Sequence, residues 1–532
     1  QKVSDIRLVD YYGRQPQRLR QYHCPTSPIY REKVQQINTL LAERYAGHPA
    51  LLMWHVSNEY GSHGCHCELC LQAFREWLQA RYGSLDKLNK AWWTTFWSHQ
   101  YSDWSQIEPV DPSLHGLMLD WMRFVSDQVL DFYQAETRPL REITPTIPVT
   151  TNFMQPNVGL DYWEFAPHVD VISWDNYPRW HSEPDDLSVA LRTAFFHDLH
   201  RAYKQRSFLL MESTPSVTNW QGISRPKRPG MHQLSSLQAV AHGANGVGYF
   251  QWRQSRGGEE KFHGAVVSHA EHENTRTFQE VTAVGDLLAQ LQPLVKSINQ
   301  AEVALIYDLQ NEWALDLAQL PRSVDKNYQE RCLVHYRQFW QQGVTVDVIN
   351  STFSDLSNYK LLVAPMLYLL QEGVAERLCD FVQAGGTLVT TYLSGVVDQS
   401  DLVFMGGSPG PLKELLGIWI EETDVLFDHH QQMIQLTQET FVQAGAIYPV
   451  KQYADIVHLQ GAEALAVYEE DFYAGSPAVT VNQFGRGQAY YLAARHDDDF
   501  LADFYGWLGR TIGLEMAITQ PLPLGVTVQV RV

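Results

Sequence analysis

The chain predicts an α/β protein built on a (β/α)₈ barrel, followed by a flavodoxin-like α/β domain and the first strand of a small β domain. Three observations carry this. Short apolar runs alternate with helical stretches over the first ~300 residues. Two of those runs end in glutamate, Ala50 to Ser57 before Asn58-Glu59 and Ser207 to Met211 before Glu212. After Ala301 the alternation resumes at doubly wound spacing, with no phosphate-cradling glycine motif. The expected domains are 1–298 (barrel), 299–518 (α/β) and 519–532 (β start).

In chain order, Ser27-Pro28 caps a helix that runs through Ile29, Val34, Ile37 and Leu41 and stops before Gly47-His48-Pro49. The run ending at Asn58-Glu59 is the next strand. A long excursion over 60–145 holds a cysteine cluster, the aromatic stretch Trp92 to Trp97 and a helix near 117–138. Strands are expected over 147–152, 169–175, 208–211 and 246–252, with helices near 188–204, 232–243 and 276–294. Five strands are short of eight, so the sequence is expected to start partway through a barrel. In the second domain strands are expected over 303–307, 344–349, 360–364, 387–392 and 485–492, with a helix over 328–342. The alternation Val526 to Val530 reads as one further strand, cut short.

The 532 residues, 45% apolar and 19% charged, describe a soluble globular chain. Its net charge of −20 argues against nucleic acid or an anionic membrane as partner. No apolar run approaches a membrane span, and no signal-peptide pattern opens the chain. A cytoplasmic location is the expectation. Sixteen Trp and 26 Tyr supply rings of the kind that stack on sugars, although most aromatic side chains simply pack in cores.

Catalytic groups of a parallel barrel project from the carboxyl ends of its strands. Counting back from a last strand at 246–252 puts Glu212 on the seventh strand and Glu59 on the fourth. Taken singly, a Glu after an apolar run is a strand ending in solvent. Two facing carboxyls about 5 to 5.5 Å apart are the equipment of a retaining glycosidase. Repulsion between them keeps one protonated near neutral pH. Cys65-His66-Cys67-Glu68-Leu69-Cys70, with Cys24 upstream, offers thiols at a spacing suited to tetrahedral zinc. Disulfides are the plain alternative, and His63 and His66 are spare ligands.

His48-Pro49-Ala50 followed by Trp54-His55-Val56-Ser57-Asn58-Glu59-Tyr60-Gly61 resembles the family 42 glycoside hydrolases, the β-galactosidases of clan A. The resemblance extends over essentially the whole chain. It implies Glu59 as acid/base and Glu212 as nucleophile, with substrate contacts from Arg20, Asn58, Trp220, Glu260 and His263. It also implies one structural zinc per chain on Cys24, Cys65, Cys67 and Cys70, no organic cofactor, and a homotrimer assembled through the second domain. The expected substrate is a terminal β-D-galactoside. Alternatives are an α-L-arabinopyranosidase of the same family, a sugar-binding relative without catalysis, and a zinc hydrolase built on the cysteines. Family members normally carry three more barrel strands and a complete small β domain.

Overall fold

The computed structural model describes residues 6–15, 23–61, 64–156, 159–182, 185–353, 355–440, 442–518 and 520–532. The chain divides into two compact units, residues 1–298 with Arg531 and residues 299–530 with Val532.

The first unit is a succession of parallel strands: β1 (Trp54–His55), β2 (Val149–Thr150), β3 (Asn152–Phe153), β4 (Ser173–Asp175), β5 (Phe208–Glu212) and β6 (Ala244–Val247). β1 pairs with β2, and β3 to β6 pair in sequence order, every ladder parallel. β2 and β3 form one continuous stretch whose pairing passes from one neighbour to the other at Thr151. Five strand positions, each followed by helix, reproduce the expected βα succession of the barrel. The strands are shorter than their apolar runs, because a ladder extends only as far as both partners stay in register.

Helix Pro28–Tyr45 begins where Ser27 accepts the Tyr30 amide on its side chain, with Pro at the first helical position. The excursion after β1 carries its own small core. Phe74, Leu78, Leu88, Leu117 and Phe124 come from three helices, Glu68–Tyr82, Leu85–Ala91 and His115–Ile143, and Trp92 caps the second of them. Asp120 is buried among them and accepts from Trp92 Nε1 at 3.0 Å and Tyr82 Oη at 2.6 Å.

In the second unit five parallel strands lie in the order Val346–Ile349, Val303–Ile306, Leu361–Ala364, Thr387–Thr391, Gly487–Leu492. Numbered along the chain that is 2-1-3-4-5, the flavodoxin-like order. Sequence reasoning left residues 418–484 as connection. They form an antiparallel extension of the same sheet: Ile418–Val425, Gln432–Leu436, Ile447–Leu459, Glu463–Tyr468 and Pro477–Phe484. The strand expected over residues 526–530 does not form. It has no ladder partner among the described residues. Instead Gln529 Oε1 accepts from Thr345 Oγ1 at 3.4 Å, so the stretch lies along the second unit as irregular chain.

Candidate active site

β1 ends at His55, and the chain turns so that Ser57 and Glu59 take positive φ, 58° and 47°. A non-glycine residue there is strained and needs outside support. Asn152, at the head of β3, supplies it. Its Oδ1 accepts the Glu59 amide at 2.8 Å, while its Nδ2 donates to Asn58 Oδ1 at 2.9 Å and to Asp175 Oδ2 at 2.6 Å. One buried amide thus ties the turn after β1 to the end of β4. With Asn58 Oδ1 engaged, Asn58 Nδ2 faces Glu59 Oε2 at 3.3 Å.

Glu212 closes β5. Its carbonyl accepts the Asn176 amide at 2.9 Å, and its Oε2 accepts the Tyr177 hydroxyl at 2.6 Å. A phenol donating to a carboxylate favours the ionised form of that carboxylate. Burial first, then the Glu212 charge and this bond, push the Tyr177 hydroxyl far above the usual range, so it stays a donor.

Carboxyl oxygens of Glu59, Asp175 and Glu212 all lie within 4.8 Å of one another. Glu59 and Asp175 are buried and Glu212 is half-buried. Burial first, then the charges of Glu212 and Glu59, push Asp175 upward to about 9. Two glutamates this close fit direct attack by one of them; an inverting pair stands about 6.5 to 9.5 Å apart to admit a water.

Residues 1–291 match the family 42 glycoside hydrolase model described as beta-galactosidase, and residues 301–515 match one described as a beta-galactosidase trimerisation domain. The chain belongs to the family 42 glycoside hydrolases. It is 53% identical over 516 residues to beta-galactosidase BglY of Alicyclobacillus acidocaldarius, which covers 96% of this chain and 75% of that protein. Beta-galactosidase Pbg of Clostridium perfringens is 52% identical, covering 100% of this chain and 77% of its own length. Among solved structures, the cold-adapted β-galactosidase from Rahnella sp. R3 superposes with a TM-score of 0.97 at 51% identity, over 100% of this chain and 79% of that one. Gan42B, a family 42 β-galactosidase from G. stearothermophilus, gives 0.95 at 49% identity, over 100% and 78%. The fold is therefore that of the family 42 barrel with its following α/β domain.

Of the residues singled out for this family 42 chain, Asn58, Glu59 and Glu212 converge. Trp220 is 54% exposed, and its ring meets Tyr177 edge-on at 5.4 Å. His263 is fully buried against Tyr177 (5.7 Å) and Phe250 (5.0 Å), and burial pushes its imidazole below the usual range. Tyr177 thus joins Glu212 to both. The loop carrying His263 comes close because Gly264 has no side chain: a Cβ there would sit 2.7 Å from Val217 N. Glu260 is half-buried on that loop, and its carbonyl accepts the His263 amide at 2.9 Å. Arg20 lies outside the described residues, as does His63.

Sequence reasoning passed over Asn152, Asp175 and Tyr177. The first two end predicted apolar runs just as Glu212 does, so the rule that found the glutamates would have found them. Tyr177 had no such signal.

The four cysteines also converge. Cys24 Sγ is 3.4 Å from Cys70 Sγ and 3.6 Å from Cys67 Sγ, and all four sulfurs lie within 4.8 Å of one another. None is paired in a disulfide. Thiolates on a tetrahedral zinc, at ~2.3 Å each, stand about 3.8 Å apart, so the cluster fits that ion. Cys67 is the N-cap of helix Glu68–Tyr82 and Cys70 sits in its first turn, where the helix dipole favours negative sulfur. His66 turns its ring onto Trp121 at 4.8 Å and is not part of the group.

Proposed function

We propose that this chain is a retaining β-galactosidase that releases terminal β-D-galactosyl residues, with Glu59 as acid/base and Glu212 as nucleophile. The observation that carries the proposal is the approach of the Glu59 and Glu212 carboxyl oxygens to within 4.8 Å at the carboxyl ends of β1 and β5. The substrate class rests on the relatives, which are named β-galactosidases. Those names do not favour an arabinopyranosidase.

In the first step Glu212 attacks the anomeric carbon while Glu59 gives its proton to the departing oxygen. The product is a galactosyl ester of Glu212. In the second step Glu59 takes a proton from water, the water oxygen bonds to the anomeric carbon, and Glu212 leaves as carboxylate. The Tyr177 hydroxyl stabilises that carboxylate before attack and after release. Asn58, whose Nδ2 faces Glu59 and whose Oδ1 is held by Asn152, would donate to the sugar 2-hydroxyl. Trp220 offers an exposed ring for the sugar face. Arg20, Glu260 and His263 complete the proposed substrate contacts. A binding protein without catalysis has no use for two facing carboxyls.

The same reading assigns one structural zinc to Cys24, Cys65, Cys67 and Cys70. Four thiolates fill a tetrahedral ion and leave no position for water, so the zinc would hold structure rather than act on the substrate. A homotrimer of the chain is proposed from the matched trimerisation domain. No helix among the described residues is long and apolar enough to cross a membrane. None of the six cysteines is in a disulfide, which suits the reducing cytoplasm we assign to the protein.

The test is the anomer released. Proton NMR of an aryl β-D-galactoside digest should show β-galactose first, with the α anomer growing in only by mutarotation. Initial α-galactose, or no hydrolysis, contradicts the proposal.

A further inference from the structure

The two-carboxyl mechanism has no task for the third acid of the cluster. Asp175 is only 6% exposed and sits within 4.8 Å of both glutamates. The three acids have unequal support. Glu212 has the Tyr177 hydroxyl, and Glu59 has Asn58 Nδ2. Asp175 has one donor, Asn152 Nδ2, and it goes to Oδ2. Its other oxygen, Oδ1, is buried with no hydrogen-bond partner among the described residues.

The titratable groups facing Asp175 are Glu59 from the turn after β1, Glu212 from β5, Tyr177 just past its own strand, and Tyr162 from helix Tyr162–Phe165. None is a cation. A carboxylate at this place would hold a bare, buried oxygen beside two other acids. A proton on Oδ1 removes the charge and makes that oxygen a donor toward the neighbouring carboxyl oxygens. Because Asn152 is anchored by the Glu59 amide and Asn58, its Nδ2 cannot leave Oδ2 without disturbing both.

We infer that Asp175 is a positioning residue that keeps its proton on Oδ1 throughout the catalytic cycle, held by Asn152, so that Glu59 alone gives and takes the mobile proton of the site. The inference rests on the assignment of Glu59 and Glu212 given above. Asp175 makes no bond to substrate in this role. It acts on Glu59 by withholding a negative charge from it, and on Asn58 through the shared Asn152 amide. The direction of its titration, upward through burial and the two glutamates, agrees.

Asp175→Asn tests this, because an amide reproduces a neutral acid: one oxygen to accept from Asn152 and one donor where Oδ1–H stood. The first readout is the alkaline limb of the kcat/KM pH profile, which reports proton loss from the acid Glu59. Exchange of neutral for neutral should leave that limb within about half a pH unit of wild type. If Asp175 is ionised in the working enzyme, the exchange removes a like charge beside Glu59 and lowers the limb by about one unit or more. A shift beyond half a unit downward overturns the inference.

The second readout needs no turnover and so does not depend on the roles of the glutamates. The infrared difference at neutral pH between Glu59→Gln and the double variant Glu59→Gln with Asp175→Asn should contain the C=O stretch of a protonated carboxyl. A carboxylate band in that difference instead overturns the inference. Failure of the glutamate roles would show separately, as Glu212→Ala retaining its activity.

Discussion

Tyr177, just past β4, donates its hydroxyl to Glu212 Oε2 at 2.6 Å. This bond links the proposed nucleophile to the aromatic group formed by Trp220 and His263, both of which pack on the Tyr177 ring. Tyr177→Phe keeps the packing and removes the donor. A hydrogen bond to a charged group contributes about 1.5 to 3 kcal/mol. The variant should therefore lose roughly 10- to 100-fold in kcat, with KM for an aryl galactoside changed far less. A kcat near wild type would show that the phenol does not support the carboxylate.

Asn152 is the second support. Its side chain holds the Glu59 amide, the Asn58 side chain and Asp175 at once. Asn152→Ala leaves the Glu59 amide, at positive φ, without this acceptor and removes the donor that holds Asn58 Oδ1. Activity should fall by about 100-fold or more, while the far-ultraviolet dichroism stays that of the folded chain. Retention of a tenth of the activity would contradict the role.

How much of this was legible in the sequence depends on what decides each feature. The glutamates and the parallel strands were legible because buried strands read as apolar runs and their last residues mark the barrel mouth. The antiparallel strands of the second unit were not. Ile418–Val425 reads IWIEETDV and is half-exposed over most of its length, so it shows neither a clean alternation nor a buried run. Its pairing with Ile447–Leu459 is decided by that partner, across a register shift between Ile420 and Glu422. The opposite error came at residues 526–530, where alternation was present and a partner was not. Tyr177 reaches Glu212 from a loop, and no periodicity records that.

Glu136 bears on pH. It is buried beneath the turn that carries Glu59, where it accepts the hydroxyl of Tyr60. Burial is the main cause that pushes Glu136 up to about 7, against 4.5 ordinarily. The folded protein thus binds more protons than the unfolded chain between those values, and stability falls as pH rises through that window. Glu136→Gln keeps an acceptor for Tyr60 but cannot ionise. Its melting temperature should depend less on pH than wild type between about pH 5 and 7, and should exceed it at the upper end. Parallel curves for the two proteins would contradict this.

The cysteine cluster gives a prediction about metal. Elemental analysis of the purified protein should find about one zinc per chain. Cys65→Ser with Cys67→Ser should abolish it and lower the melting temperature. Chelation should inactivate only as the protein unfolds, because a four-thiolate zinc takes no part in the chemistry. Intramolecular disulfides and no metal would rule the site out.

The most direct measurement is the activity of Glu212→Ala on an aryl β-D-galactoside, with and without azide. Hydrolysis should all but vanish, and azide, small enough to occupy the space left by the carboxyl, should restore turnover and yield the α-galactosyl azide. Hydrolysis by Glu212→Ala near the wild-type rate, or rescue that yields the β-galactosyl azide, would contradict attack by Glu212 on the sugar.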